Sequence, residues 1–115
     1  MPLHLPSEAD FLEHGFGLSL QHEPKDAVLS YTRSYPGGWE LTLTFDMVSD
    51  SVLVRLSHNG ESITALNQEG VANVAFQAWH TDQIIRIYFE PSQFYLDARV
   101  HYAPSPRVHF SSIKA

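Results

Sequence analysis

Apolar and polar residues alternate with period two along most of this chain. The pattern is plainest from Trp39 to Asp46, where Trp39, Leu41, Leu43 and Phe45 interleave with Glu40, Thr42, Thr44 and Asp46. Successive side chains of a strand point to opposite faces, so this stretch predicts a strand with one buried and one wet face. The same period runs through Ser51 to Leu66, where two alternating segments meet at Asn59-Gly60. Both central residues of a type I′ turn need positive φ, which Asn tolerates and Gly accepts freely, so a two-residue hairpin is expected. Pairing His58 with Glu61 then sets Leu56 opposite Ile63, Val54 opposite Ala65 and Leu53 opposite Leu66, with Val54, Leu56 and Ile63 turned inward.

Upstream, Ser7 is placed to cap a short helix over about residues 8–14, with Asp10 in its first turn, Phe11 and Leu12 as anchors and Gly15 to end it. Phe16, Leu18 and Leu20 then share one face of a strand, a type I turn is expected at Glu23-Pro24-Lys25-Asp26, and Ala27 to Tyr35 reads as the next strand with Leu29 and Tyr31 inward. Pro36-Gly37-Gly38 suits a type II turn into Trp39.

Downstream, residues 71–80 fit two patterns. Val74, Phe76 and Ala78 alternate as in a strand, while Val71, Val74, Ala75, Ala78 and Trp79 form a helical stripe. The neighbouring segments all read as strands, which favours a strand here and leaves α+β as the alternative. Ile84 to Glu90 and Gln93 to Tyr102 form a hairpin through Pro91-Ser92, pairing Phe89 with Phe94, Ile87 with Leu96 and Ile85 with Ala98 on the buried face. The other face pairs Tyr88 with Tyr95 and Arg86 with Asp97. After the stiff Ala103-Pro104-Ser105-Pro106 connector, Arg107 to Phe110 is a last short strand at a sheet edge.

About eight or nine short strands joined by tight turns, with one short N-terminal helix, predict an all-β antiparallel meander folded as a sandwich or small barrel. The 115 residues suit one domain spanning 1–115.

Composition narrows the function classes. With 43% hydrophobic residues the chain is expected to fold, yet no apolar run approaches the roughly 18 residues of a membrane span. The first residues lack a basic region followed by an apolar run, so a cytoplasmic protein without membrane association is expected. There is no cysteine, which removes disulfides and thiolate chemistry. Net charge is −6 and unevenly spread: residues 1–50 hold eight acids against two bases, whereas residues 51–115 hold five of each. Seven basic residues without a cluster argue against a nucleic-acid partner, because phosphate binding needs several cations together.

Catalytic signatures are missing. No G-x-S-x-G elbow or phosphate-cradling glycine loop is present, and the seven histidines never stand at i, i+2 or i, i+4. A metal site could assemble only across strands, with His101, His109 and Asp97 the nearest candidates. No cofactor is expected. The feature with most functional content is the outer face of the C-terminal hairpin, carrying Arg86, Tyr88, Tyr95, Asp97, Arg99 and His101. Tyr and Arg are enriched where proteins bind partners, since each offers a large contact area and a hydrogen-bonding end. The plain structural alternative is that this face is covered by a second sheet, or that its tyrosines simply fill a half-buried surface.

These observations point to a small acidic protein-binding module that caps a basic partner, as inhibitors and immunity proteins of bacterial toxins do. Two alternatives stand beside it. One is a ligand-binding barrel with an apolar cavity lined by Trp39, Phe45, Phe89 and Phe94; the other is an enzyme or metal protein using cross-strand histidines. The sequence leaves the oligomeric state open, an edge-strand dimer included.

Overall fold

The computed structural model describes residues 4–91 and 95–112, with the side chains of 95, 96, 111 and 112 excepted. Nine strands form two antiparallel sheets. Gly17–Leu18 (β1), Val28–Tyr35 (β2), Trp39–Asp46 (β3), Ser51–His58 (β4) and Glu61–Gln68 (β5) make a five-stranded meander. Val71–Trp79 (β6), Asp82–Phe89 (β7), Tyr95–Ala103 (β8) and Arg107–Ser112 (β9) make a four-stranded one. The arrangement is an all-β sandwich, and the two meanders stay separate sheets instead of closing into a barrel. Among the described residues no helix is long and apolar enough to cross a membrane.

The interior is what the period-two pattern requires. Leu41, Leu43 and Phe45 of β3, Val52 and Val54 of β4, Ile85 and Ile87 of β7 and Val100 of β8 belong to one buried cluster between the sheets. The helix α1, Glu8–Glu13, adds to it from the side. Ser7 and Asp10 exchange side-chain and backbone hydrogen bonds in a capping box, which starts the helix, and Gly15 at φ +85° ends it. Phe11 is fully buried, with its ring stacked 3.9 Å from Tyr31 and set edge-on to Phe76 at 5.1 Å. Arg33 Nη1 donates to His14 O at 2.6 Å and holds the helix end against β2. Leu12, expected as a second anchor, is instead 47% exposed, because a helix this short presents only one narrow stripe to the core.

Positive φ at Asn59 (51°) and Gly60 (85°), with His58 opposite Glu61, matches the type I′ hairpin. Its register differs beyond the turn. A β-bulge lets Ile63 drop out of the ladder, so Leu56 faces Thr64 and Val54 faces Leu66, and Ile63 is 54% exposed. Bulges of this kind gather on edge strands, and β5 is an edge. The 71–80 segment is a strand, and a bulge explains its helical appearance. Val71 pairs with Phe89 and Asn73 with Tyr88, so Ala72 is the extra residue and Val71 and Val74, three apart, both face the core.

Two further expectations are corrected. The first strand is only two residues long, Leu18 is 48% exposed and Leu20 97% exposed, so only Phe16 of that alternating set is buried. In the C-terminal hairpin Ile87 pairs with Ala98, Ile85 with Val100 and Arg86 with Arg99, two residues out from the simplest register. An even shift leaves each side chain on its expected face and changes only its neighbour. Phe94, part of the expected pairing and cavity, lies outside the described residues. Phe45 and Phe89 are packed into the core.

Candidate functional site

The outer face of the four-stranded sheet is built in rows, because directly opposed residues of antiparallel strands face the same way. One row runs Gln77, Ile84, His101, Arg107; the next runs Ala75, Arg86, Arg99, His109; the next runs Asn73, Tyr88, Asp97. Trp79, opposite Asp82, stands at the head of the face. Arg86, Tyr88, Asp97, Arg99 and His101 thus share one surface, as the alternation implied. Tyr95 belongs to β8, and its side chain lies outside the described residues.

Two aligned arginines repel, and the neighbouring rows supply the compensation. Arg86 Nε donates to Asp97 Oδ2 at 2.6 Å. The Arg86 guanidinium also lies 5.4 Å from the Trp79 ring centre and 5.3 Å from that of Tyr88. Arg99 sits closer to Trp79, at 4.2 Å, so both guanidinium groups are within reach of one indole, whose π-face attracts their charge. Tyr88 is fixed by Gln77, whose Nε2 donates to its hydroxyl at 3.0 Å. Toward β9, His101 Nδ1 lies 2.7 Å from Asp82 Oδ2, and Arg107 Nη2 donates to the same oxygen at 3.0 Å. A carboxylate oxygen accepts only, so His101 carries its proton on Nδ1.

This geometry divides the expected residues by role. Asp97 and His101 are each only 3% exposed and already paired within the chain, so they hold the face in place and offer a partner little surface. Arg86 keeps about a quarter of its side chain in solvent (26%), and Arg99 has a buried Nε that no hydrogen bond satisfies. The guanidinium groups and aromatic rings form the outer layer of this face. Ile84, fully buried, lies beneath them on the same side of the sheet.

Sequence reasoning missed Trp79, Gln77, Asp82 and Arg107. Trp79 was hidden in the segment with two competing periodicities, and Asp82 reads as a turn residue until the register places it beside His101. The metal candidates do not converge: His101 is buried opposite Arg107, whereas His109 is exposed opposite Arg99. Among the described residues no group of three His, Cys, Asp or Glu side chains is placed to hold a metal ion.

No protein-family model matches the chain, and no curated protein matches it in sequence. Among solved structures, it is similar to a chain of the contact-dependent growth inhibition toxin–immunity protein complex from Klebsiella pneumoniae 342. The likeness covers 98% of this chain and 100% of that one, with a TM-score of 0.84 at 15% sequence identity. Identity that low goes with a shared fold and says nothing by itself about shared contacts.

Proposed function

We propose that this chain is a protein-binding module of the immunity type, which silences a toxin by occupying it and not by chemistry of its own. The observation that carries the reading is the end-to-end likeness to a chain of a toxin–immunity complex. Two properties of the molecule support it. The −6 charge gives a small inhibitor a field that draws a basic partner in, raising the rate of encounter. The face built from Trp79, Arg86, Tyr88 and Arg99 presents the side chains that dominate binding energy at protein interfaces, with Arg86 already held by Asp97 and Tyr88 by Gln77. Such a binder needs no cofactor, and its action in the cytoplasm of the toxin's target cell fits the same role.

Co-expression with the protein encoded beside it in its own genome is the direct test. The chain should restore growth to a bacterial host that the neighbour arrests, and the two should co-elute as one complex. Growth arrest that persists with the chain present at equal level overturns the reading.

A further inference from the structure

The outer face of the four-stranded sheet carries a positive charge that nothing on it balances. Arg86 and Arg99 stand directly opposite each other on β7 and β8, and His109 stands opposite Arg99 on β9. Directly opposed residues project to the same side, and the irregularities of these two ladders fall outside this row, at Gln83/Ile84 and at Tyr95/Asp97. Like charges so placed repel. Arg86 and Arg107 each have an acid, since Arg86 Nε donates to Asp97 Oδ2 at 2.6 Å and Arg107 Nη2 to Asp82 Oδ2 at 3.0 Å. Arg99 has none among the described residues.

Arg99 is nonetheless held in place. Its guanidinium lies 4.2 Å from the centre of the Trp79 ring, and its Nε is sealed from solvent without an acceptor. A guanidinium over an aromatic face keeps its N–H groups in its own plane, so the contact with Trp79 does not consume them. With Nε closed off, the two terminal Nη groups are the edge left for a ligand. His109, exposed and next in the row, adds a ring N–H.

Charge defines what this edge takes. A planar carboxylate accepts two parallel hydrogen bonds from a guanidinium and supplies the one negative charge the row lacks. A cationic side chain would meet two arginines, and an apolar one would cover a charge without neutralising it. A polyphosphate or nucleic acid would find on this face a single arginine without an acid, on a chain whose net charge of −6 repels it. We propose that Arg99 receives one aspartate or glutamate side chain of a protein partner, seated end-on at its Nη groups beside His109. The partner comes from the immunity-type reading: residues 1–50, which hold the net negative charge, attract its basic surface, and Arg99 fixes its orientation. The site itself is measurable without that partner.

The experiment titrates ¹⁵N-labelled protein at low salt with acetyl-Lys-Lys-Glu-Lys-Lys-amide and with the same peptide carrying Gln in place of Glu. The sealed Nε–H of Arg99 and the indole of Trp79 report on the site, and Trp39, on the other sheet and 4.5 Å from the His58 ring, is the control. The Glu peptide should move Arg99 and Trp79 saturably and bind there about threefold more tightly than the Gln peptide, while Trp39 responds to the two alike. Read at Trp79, Arg99→Gln should abolish that preference. Arg99→Lys, which keeps a stem and a charge but loses the fork, should reduce it, and carries the comparison if Arg99→Gln alters the fold. Arg55→Gln, at an exposed arginine of the other sheet, should leave it unchanged. Equal binding of the two peptides overturns the proposal, and so does an effect of Arg55→Gln as large as that of the Arg99 variants, which would reduce it to net charge. Inorganic phosphate that moves the same resonances at lower concentration than the Glu peptide overturns the carboxylate assignment. A negative co-expression result, by contrast, removes the immunity reading and leaves this binding measurement standing.

Discussion

The outer faces of the two sheets solve the same problem with different chemistry. On the five-stranded sheet the outward residues of β2 and β3 are mostly hydroxyls, and they bond to one another across the strands. Ser30 Oγ lies 2.7 Å from both Ser19 Oγ and Thr44 Oγ1, and Thr32 Oγ1 lies 3.1 Å from Thr42 Oγ1. On the four-stranded sheet the outward residues are arginines, aromatics and acids joined by ion pairs and cation–π contacts. Neutral hydroxyls leave no charge stranded when one partner is lost, so the cost of a substitution on the first face is that of a single neutral hydrogen bond. A buried carboxylate such as Asp97 has no such freedom, because its charge is stable there only while Arg86 stays beside it. The second face is therefore the more rigid one, and rigid aromatic and guanidinium groups are what an interface needs before a partner arrives.

The two faces share one interior, and charging that interior should break both at once. Burial, together with the nearby Glu8 carboxylate, pushes the Tyr31 phenol up to about 12; burial also pushes Tyr35 up to about 12, against the lowering effect of Arg33, and raises Tyr102. A folded-state pKa above the unfolded value of about 10 means that the unfolded chain loses these protons first. The stabilisation is complete below pH 10 and is lost as pH rises toward 12. Denaturant midpoints measured from pH 8 to 12 should hold steady to about pH 10 and then fall steeply; constant stability through pH 12 would contradict the buried-phenol assignment.

The faces should separate under single substitutions. Asp97→Ala leaves Arg86 without its partner beneath a half-covered layer and should destabilise by about 2–3 kcal/mol. Replacing both together, Arg86→Met with Asp97→Leu, should recover most of that loss while abolishing whatever binding the face supports. A loss below about 0.5 kcal/mol for Asp97→Ala would place the pair among ordinary surface ion pairs. The smallest effect is expected on the other face. Thr42→Val removes one hydroxyl from the ladder, but Thr32 keeps its contact with Leu41 O at 3.3 Å, so the cost should stay under about 1 kcal/mol by the same denaturation assay.

Much of this architecture is legible in the linear order of residues. The capping box at Ser7, the Asn59-Gly60 turn and the alternation of β3 depend on contacts a few residues apart or on one strand's own pleat. Their chemistry is therefore complete within the segment. The alternation also assigned Arg86, Tyr88, Asp97, Arg99 and His101 to one face correctly, since facing follows parity and survives an even register shift.

What the chain's order left open was decided by pairing between distant segments. The bulges at Ala72 and Ile63 exist because β6 and β5 must match partners already set by other turns, and each bulge resets the parity on which sequence reading relies. The meeting of Trp79 with Arg86 and Arg99 and of Asp82 with His101 depends on strand register and sheet twist. Those are fixed only when the two sheets close on a common core, and no local pattern encodes them. Sequence alone determined which residues could share the outer face of the C-terminal sheet; the tertiary structure decided which of them are presented to solvent and which are buried, as Asp97 is against Arg86 and His101 against Asp82.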